Sequence, residues 1–574
     1  MIELAVWAPR AQRVDAIVAG EVRGLERDAR GWWRGARVDP GTDYAFSLDG
    51  GPARPDPRSR WQPYGVHRAS RAFEVAWLPR RGDSFRAPPL AAGLVYELHV
   101  GTFSRAGTFD GAVAHLDHLV QLGVTHVELM PVNAFPGARG WGYDGVALWA
   151  PHQAYGGPEG LVRLVDACHE RGLAVLLDVV YNHLGPDGNY LAELGPYFSD
   201  RHKTPWGPAV NFDGAGADEV RRFFVDNALY WLRDFRFDGL RLDAVHAMVD
   251  QSALHFLEQL AHEVKALEAA SGRPLVLIAE SDLNDPRLVR SWEAGGFGLD
   301  AQWSDDFHHA LHVALTGEQS GYYEDFTGVA DVARALARAY VYEGQRSRHR
   351  GRAHGRPLGG DVPATRLLGY AQTHDQVGNR ARGERLAHLC GPRLAQVGAA
   401  IVAVAPFVPM LFQGEEWAAS APFQYFTDHE SPELAEAVRQ GRRAEFVAFG
   451  WKPEDVPDPQ DARTFERSKL DWEELGDGPH ADVLAWYREL IALRAREPAL
   501  RDGQLADVRV EHGSRWLEVE RGPVTMMANL GEAGIERPRP PGQRVAASVA
   551  GVEERGERVL VPGACAVFYS QSRR

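Results

Sequence analysis

Between residues 93 and 412, the hydrophobic pattern of the chain alternates between two kinds of segment. Short, mostly apolar runs predict buried strands. Most of them are separated by longer segments whose apolar residues recur every three or four positions, as in amphipathic helices. Helices of this kind are predicted at residues 109–123, 218–235 and 251–270. Eight strands are predicted, at residues 93–100, 125–132, 173–180, 239–245, 275–280, 297–303, 367–373 and 407–412.

This order of elements predicts an α/β fold. Strands that are apolar along their whole length are typical of parallel sheets that helices cover on both faces. Eight of them alternating with helices favour a closed (β/α)₈ TIM barrel. A doubly wound open sheet is the alternative, but no GxGxxG sequence follows an early strand, which weakens it.

The two ends of the chain show a different pattern. Near the N-terminus, short apolar runs at residues 3–9, 13–20, 42–50 and 71–79 are separated by Gly, Pro and Asp, and this pattern predicts strands of a small β-sandwich. A last helix is predicted at 480–497, and short strand-like runs follow at 505–513, 515–522, 524–531 and 565–571. The predicted domains are an N-terminal β-sandwich at 1–88, a catalytic barrel at 89–499 and a C-terminal all-β domain at 500–574.

Two connections in the predicted barrel are long, residues 181–216 and residues 316–366. Long loops that follow barrel strands are often functional lids. The second connection contains a basic stretch at 346–357, which we predict to be solvated surface rather than a phosphate site.

Composition narrows the classes of function and location. The net charge of −15 disfavours a nucleic-acid partner. The three cysteines have no pairing or CxxC pattern, which favours a reducing compartment. The N-terminus lacks the pattern of a signal peptide, and no apolar run is long enough to span a membrane. We therefore predict a cytoplasmic protein that does not bind membranes.

Ionisable residues lie at the ends of the predicted strands, where the chemistry of a barrel takes place. They are Asp178 and His183 after the third strand, Arg241, Asp243 and His246 at the fourth, Glu280 at the fifth, Asp305, Asp306, His308 and His309 after the sixth, and His374, Asp375 and Asn379 at the seventh. A single Asp in such a place is usually a helix cap, so the prediction depends on the whole set.

Three of these carboxylates suit the cleavage of a glycosidic bond. Arg241 and Asp243 share one face of a strand, so the guanidinium can keep Asp243 ionised as a nucleophile. The apolar surroundings of Glu280 raise the pKa of a carboxyl, which suits a general acid. Neighbouring strand ends lie roughly 5 Å apart, the spacing of a retaining glycosidase. Asp375 could bind substrate hydroxyls, and Asp178 either orients Arg241 or contacts substrate.

A catalytic metal is disfavoured by the same residues. The histidines are not spaced as HxH or HExxH, and Arg241 beside Asp243 would repel a cation. We predict neither a metal nor another cofactor.

Four segments resemble the signature regions of the α-amylase superfamily, glycoside hydrolase family 13: DVVYNH (178–183), GLRLDAVH (239–246), IAE (278–280) and THDQVGN (373–379). The resemblance implies that Asp243 is the nucleophile, Glu280 the proton donor and Asp375 the transition-state stabiliser. It also implies a set of substrate-binding residues: Tyr143, Asp144, His183, Arg241, His246, Asp305, His309, His374, Gln376 and Asn379.

Longer stretches resemble the trehalose-releasing hydrolases of this superfamily over nearly the whole chain, including a sandwich of the carbohydrate-binding type. Thr373, where ordinary amylases usually have Asn, agrees with that subfamily. The resemblance implies maltooligosyltrehalose and maltooligosaccharides as substrates, cleavage of the α-1,4 bond next to trehalose, and a preceding enzyme that forms maltooligosyltrehalose. The alternatives are a glycogen branching enzyme, an ordinary amylase or debranching enzyme, and a non-catalytic barrel. We also predict that residues of 181–216 and 281–309 recognise the trehalose side.

Overall fold

Eight parallel strands close into a barrel in the order in which they follow along the chain. The structure is a computed structural model, and it describes residues 1–82, 84–447, 452 and 455–572. The barrel strands are β1 (Val95–Leu98), β2 (His126–Leu129), β3 (Ala174–Val179), β4 (Gly239–Leu242), β5 (Val276–Ala279), β6 (Ala301–Trp303), β7 (Leu367–Tyr370) and β8 (Val408–Phe412). Each of them lies within one of the eight predicted runs. The predicted barrel is therefore confirmed, and the open sheet was wrong.

Amphipathic helices surround the barrel and bury their apolar faces against it. The helix predicted at 218–235 is confirmed as Ala217–Arg233. The helix predicted at 109–123 is divided into Phe109–Val113 and Leu116–Leu122, and the one predicted at 251–270 begins only at Phe256. Capping groups and left-handed glycines fix these ends. Thr108 accepts a hydrogen bond from Gly111 N at one start, and Gly272 ends another helix at φ +61°. The main helices are Phe109–Val113, Leu116–Leu122, Gly157–Glu170, Ala217–Arg233, Phe256–Ser271, Asp305–Thr316, Val329–Arg338, Pro392–Val404, Pro432–Val447 and Gly478–Arg496.

The N-terminal strands form two sheets, as expected for a sandwich. One contains Ile2–Trp7, Glu26–Arg27 and Trp32–Val38, and the other contains Val14–Val18, Glu21–Gly24, Asp43–Leu48, Ala53–Arg54 and Ser70–Arg71. The strand predicted at 71–79 was wrong beyond Arg71, because Val75–Trp77 form a 3₁₀ turn that buries Val75. The sandwich contacts the 181–216 connection of the barrel. There the rings of Trp7 and Tyr197 lie 5.4 Å apart, edge to face.

The C-terminal strands also form two sheets. The first contains Val508–His512, Trp516–Arg521, Val524–Asn529, Gln543–Ala547 and Cys565–Ser570, and the second contains Ile535–Pro538, Glu553–Arg555 and Arg558–Val561. The sequence predicted most of the first sheet but missed the second. In that sheet Ile535–Pro538 and Glu553–Arg555 are rich in Arg and Glu, whereas Arg558–Val561 is mostly apolar and buries Val559 and Val561. The domain borders at 88 and 499 stay predictions.

The two long connections carry structure of their own. Residues 181–216 contain a short helix, Leu191–Leu194, and a hairpin of Phe198–Thr204 and Gly207–Val210. The basic stretch at 346–357 is mostly exposed, as predicted. That prediction was wrong for Arg350, which is half-buried and pairs with Asp282 at 2.7 Å, two residues beyond Glu280. Among the helices in the described part of the chain, none is long and apolar enough to cross a membrane.

Candidate active site

Asp243 and Glu280 are the first residues beyond β4 and β5. In the parallel register, Leu242 pairs with Ala279, so the two carboxyl-bearing residues leave the barrel at the same level. The hydrogen bonds of the sheet continue past both strands, because Glu280 N donates to Leu242 O at 3.0 Å. The end of the barrel therefore brings the two predicted catalytic carboxyls side by side.

Arg241 is fully buried between the carboxylates of three neighbouring strand ends. One nitrogen, Nη1, lies 2.7 Å from Asp178 Oδ2 and 2.9 Å from Asp243 Oδ1. The other, Nη2, lies 3.2 Å from Glu280 Oε2. A planar guanidinium holds such partners in fixed directions, which a flexible ammonium cannot do. Arg241 thus donates hydrogen bonds to Asp178 and Asp243 and forms an ion pair with Glu280.

The backbone after Asp243 adopts an unusual conformation that serves Glu280. Ala244 has φ +38° and ψ 54°, a left-handed geometry that costs energy for a residue with a Cβ. This geometry directs Ala244 N to Glu280 Oε2, to which it donates at 2.6 Å. Burial nevertheless raises the pKa of Glu280 well above its ordinary value, against the opposing effect of Arg241. Glu280 is therefore suited to hold a proton near neutral pH.

Asp243 is held from the other side by Asn182. The Asn182 Nδ2 group donates to Asp243 Oδ2 at 2.7 Å and to Asp243 O at 2.8 Å. Tyr143 completes the wall of the site, since its hydroxyl donates to Asp178 Oδ2 at 2.6 Å. Asp178 therefore contacts both Arg241 and Tyr143, which supports its orienting role over direct contact with substrate.

The contact of Asn182 with Asp243 leads to a prediction about pH. In Asn182→Asp, a second carboxylate would replace the amide donor at nearly the same size. Two carboxylates so close resist simultaneous ionisation. We therefore expect the acidic limb of the pH–rate profile to move upward by about 1 pH unit or more, with turnover at low pH lost first. A pH–rate profile from 4 to 9 would measure this. An unchanged acidic limb would contradict the role given to Asn182.

His374 and Asp375 lie on the opposite side of Tyr143. The ring of His374 stacks on Tyr143 at 5.1 Å, with 21° between the planes. Its Nε2 lies 3.5 Å from Asp375 Oδ1, and Asn379 Nδ2 donates to the same oxygen at 3.2 Å. The seventh strand end thus brings the third predicted carboxylate to the site with two donors around it. Asp375 remains partly exposed, as a group that meets substrate must be.

Three other predicted substrate-binding residues, Asp144, His183 and Asp305, follow the second, third and sixth barrel strands along the chain. His183 Nε2 contacts Tyr143 O at 3.1 Å, and Asp144 Oδ2 lies 3.9 Å from His429 Nε2. Asp305 accepts a hydrogen bond from Tyr370 at 2.5 Å, and burial raises the pKa of Asp305 to about 7. These three residues lie around the opening of the barrel.

Three predicted residues have other principal contacts in the described part of the structure. Gln376 uses its side-chain oxygen to accept from Thr373, in the capping box that begins the helix His374–Gly378. His309 packs against the rings of Tyr322 and Tyr323. His246 is exposed on a 3₁₀ turn. Their roles in substrate binding stay predictions.

Sequence reasoning missed several residues of the site. Glu97 in β1 contacts His374, Asn182 contacts Asp243, and Trp206 stacks on His183 with ring centroids 4.9 Å apart. A charged residue within the apolar run VYELHV was the signal for Glu97. The position of Trp206 depends on the hairpin in the 181–216 connection, which no local pattern reveals.

The barrel and its carboxylates define a class of protein: an α-amylase type glycoside hydrolase that works with a nucleophile and an acid. A family model described as alpha amylase, catalytic domain, matches residues 83–206. The chain is 51% identical over 539 residues to malto-oligosyltrehalose trehalohydrolase of Arthrobacter ramosus, covering 92% of this chain and 93% of the relative. The chain therefore belongs to the malto-oligosyltrehalose trehalohydrolase family.

Two further comparisons are with proteins that carry other names. A crystal structure of a Salmonella typhimurium protein, provisionally named alpha amylase, superposes with a TM-score of 0.90 at 37% identity and covers 99% of this chain and 97% of its own. A 1,4-alpha-glucan branching enzyme of Rhizobium etli is 30% identical over 368 residues, which cover 54% of this chain and 48% of that enzyme. The similarity to the branching enzyme is thus weaker and more local.

Proposed function

We propose that this protein is a retaining glycosidase that cleaves the α-1,4-glucosidic bond next to the terminal trehalose unit of maltooligosyltrehalose and releases trehalose. The observation that carries the proposal is the arrangement of Asp243 and Glu280 on the two nitrogens of one buried guanidinium. Retaining enzymes need a nucleophile and an acid about 5 Å apart. Membership of the family supplies the substrate.

The residues suit two successive steps. In the first, Asp243 forms a bond to the anomeric carbon while the bond from that carbon to the leaving oxygen breaks. Glu280 gives its proton to the leaving oxygen of trehalose. In the second, Glu280 takes a proton from water, the water oxygen bonds to the anomeric carbon, and Asp243 is released. Asp375 and His374 would hold sugar hydroxyls as positive charge develops on the ring.

Product analysis tests the proposed substrate. The purified protein would be incubated with maltooligosyltrehalose and, as a control, with maltopentaose. We expect free trehalose and a shorter maltooligosaccharide from the first, with much slower turnover of the second. New α-1,6-linked products from amylose would instead support the alternative, a branching enzyme, which transfers the glycosyl group to another glucan. Equal hydrolysis of both oligosaccharides would indicate an ordinary amylase.

Trp206 supports a role for the 181–216 connection on the trehalose side. Its side chain is 49% exposed at the tip of the hairpin, and its ring lies parallel to that of His183. A large exposed aromatic ring can stack on a sugar face.

Trp206→Ala should therefore reduce the preference for trehalose-ended chains. We expect the ratio of kcat/KM for maltooligosyltrehalose to that for maltopentaose to fall roughly 3- to 10-fold, the value of one aromatic stacking contact. Trp77→Ala, which removes another exposed tryptophan near the N-terminus, is the matched control. If both variants keep the wild-type ratio, Trp206 does not recognise trehalose.

The proposed reaction also implies a place in metabolism. Its substrate carries an α,α-1,1 linkage at the end of an α-1,4 chain, so an enzyme that converts the reducing end of a maltooligosaccharide into that linkage must act first. Together the two reactions would make trehalose from α-glucans. We further propose that the protein works in the cytoplasm, where its unpaired cysteines would stay reduced.

A further inference from the structure

A buried carboxylate from the first barrel strand contacts the histidine of the active site. Glu97 Oε1 is in direct contact with His374 Nδ1, and Glu97 Oε2 accepts from His374 N at 3.1 Å. Both side chains are almost completely buried, 1% and 2% exposed. Because Nδ1 faces Glu97, the other ring nitrogen faces Asp375 and the opening of the barrel.

The groups around His374 favour opposite charge states. The charged or titratable groups that face it are Glu97, His99, Glu128, Tyr143, Arg241 and Asp375. Burial and Arg241 disfavour an imidazolium, whereas Glu97 and Asp375 favour it. Burial lowers the pKa of His99 to about 3, so that ring adds no charge near neutral pH. Although burial alone would lower it, Glu97 and Asp375 raise the pKa of His374 to about 9.

We propose that Glu97 is a positioning residue of the reaction: it holds His374 as an imidazolium whose Nε2 proton always points toward Asp375 and the bound sugar. A charged donor makes a shorter and stronger hydrogen bond to a sugar hydroxyl than a neutral one. An imidazolium also cannot present an unprotonated ring nitrogen to the substrate, because both of its ring nitrogens carry protons. This inference rests on the proposed function for its substrate, but the contact itself does not.

A second buried glutamate provides a control. Glu128 in β2 lies beside Glu97 in the parallel register of the two strands. Burial, together with the neighbouring Glu97, raises the pKa of Glu128 well above its ordinary value. Glu128 Oε2 is buried without a hydrogen-bond partner in the described part of the structure, whereas both carboxylate oxygens of Glu97 contact His374. Replacing each by Gln keeps the size of the side chain, but only the change at Glu97 alters a direct contact of His374.

The experiment compares Glu97→Gln, Glu128→Gln and the wild type in pH–rate profiles of trehalose release between pH 5 and 9. In Glu97→Gln, His374 loses its counter-charge and becomes neutral at a lower pH. We expect kcat/KM at pH 7 to fall between about 10- and 100-fold, the usual effect of removing the partner of a functional histidine. The loss should grow as pH rises and shrink toward pH 5, where His374 can still be protonated. Glu128→Gln should follow the wild-type profile.

A pairing test separates this role from simple structural support. In a His374→Gln background, adding Glu97→Gln should produce no further pH-dependent loss, because the group through which Glu97 acts is gone. A loss in Glu97→Gln that is equal at all pH values, or a matching pH-dependent loss in Glu128→Gln, would overturn the proposal. Circular dichroism and thermal melting would confirm that the variants are folded. If the wild type releases no trehalose, the proposed substrate is wrong, and the same profiles can be recorded on maltopentaose.

Discussion

Asp243→Asn is expected to lower kcat for trehalose release on the order of 10⁴-fold or more while leaving the fold intact. The amide has the shape of the carboxylate but cannot form the covalent bond to the anomeric carbon. Its neighbours can still be satisfied in part, because Arg241 can donate to the amide oxygen as it does to Asp243 Oδ1. Steady-state kinetics on maltooligosyltrehalose, with far-ultraviolet circular dichroism, would measure both effects.

The control for this variant is the same chemical change at an exposed position. Asp218→Asn, in the first turn of the helix Ala217–Arg233, should keep wild-type activity. Substantial residual turnover by Asp243→Asn would contradict the nucleophilic role, provided that deamidation back to Asp is excluded by mass spectrometry. Loss of the fold would instead indicate that the Arg241 network needs the negative charge for stability.

Local patterns were sufficient to predict the barrel because its strands are buried on both faces. Each strand is a short continuous apolar run, and its neighbours along the chain are also its neighbours in the sheet. The same rule failed where burial is partial. At residues 71–79 the apolar positions pack through a 3₁₀ turn, and in Ile535–Pro538 and Glu553–Arg555 charged residues hide the strand pattern.

The candidate site was predictable to the extent that it follows from strand ends. Asp243 and Glu280 could be placed together because parallel strands align their carboxyl ends, and the structure joins them through Arg241. The contact of Glu97 with His374 spans 277 positions of the chain. Glu97 meets His374 only because the barrel closes between β8 and β1. The periodicity of a short sequence segment cannot predict such a contact. The sequence also cannot show the direction in which the side chains of His246, His309 and Gln376 point, and their roles in substrate binding depend on that direction.

Glu280→Gln should give the second large effect, and its size should depend on the leaving group. The natural leaving group is a sugar oxygen, which must receive a proton to depart. Without an acid, we expect kcat for maltooligosyltrehalose to fall about 10³-fold. A glycosyl fluoride with the same α-configured maltooligosaccharide needs little help to leave, so its first step should slow less than about 10-fold. Comparing the two substrates isolates the acid function from binding and folding.

The pH dependence of Glu280→Gln follows from the sign of the shift. Burial raises the pKa of Glu280, so the acid form persists to higher pH than for an exposed glutamate and is lost as pH rises through that pKa. The alkaline limb of the wild-type profile on the natural substrate should therefore include the loss of the Glu280 proton. In Glu280→Gln that part should disappear, which leaves only the loss near pH 9 where His374 gives up its proton. Glu293→Gln, an exposed replacement of the same kind, should retain the whole alkaline limb. Equal losses on the fluoride and on maltooligosyltrehalose would show that Glu280 supports the site without donating the proton.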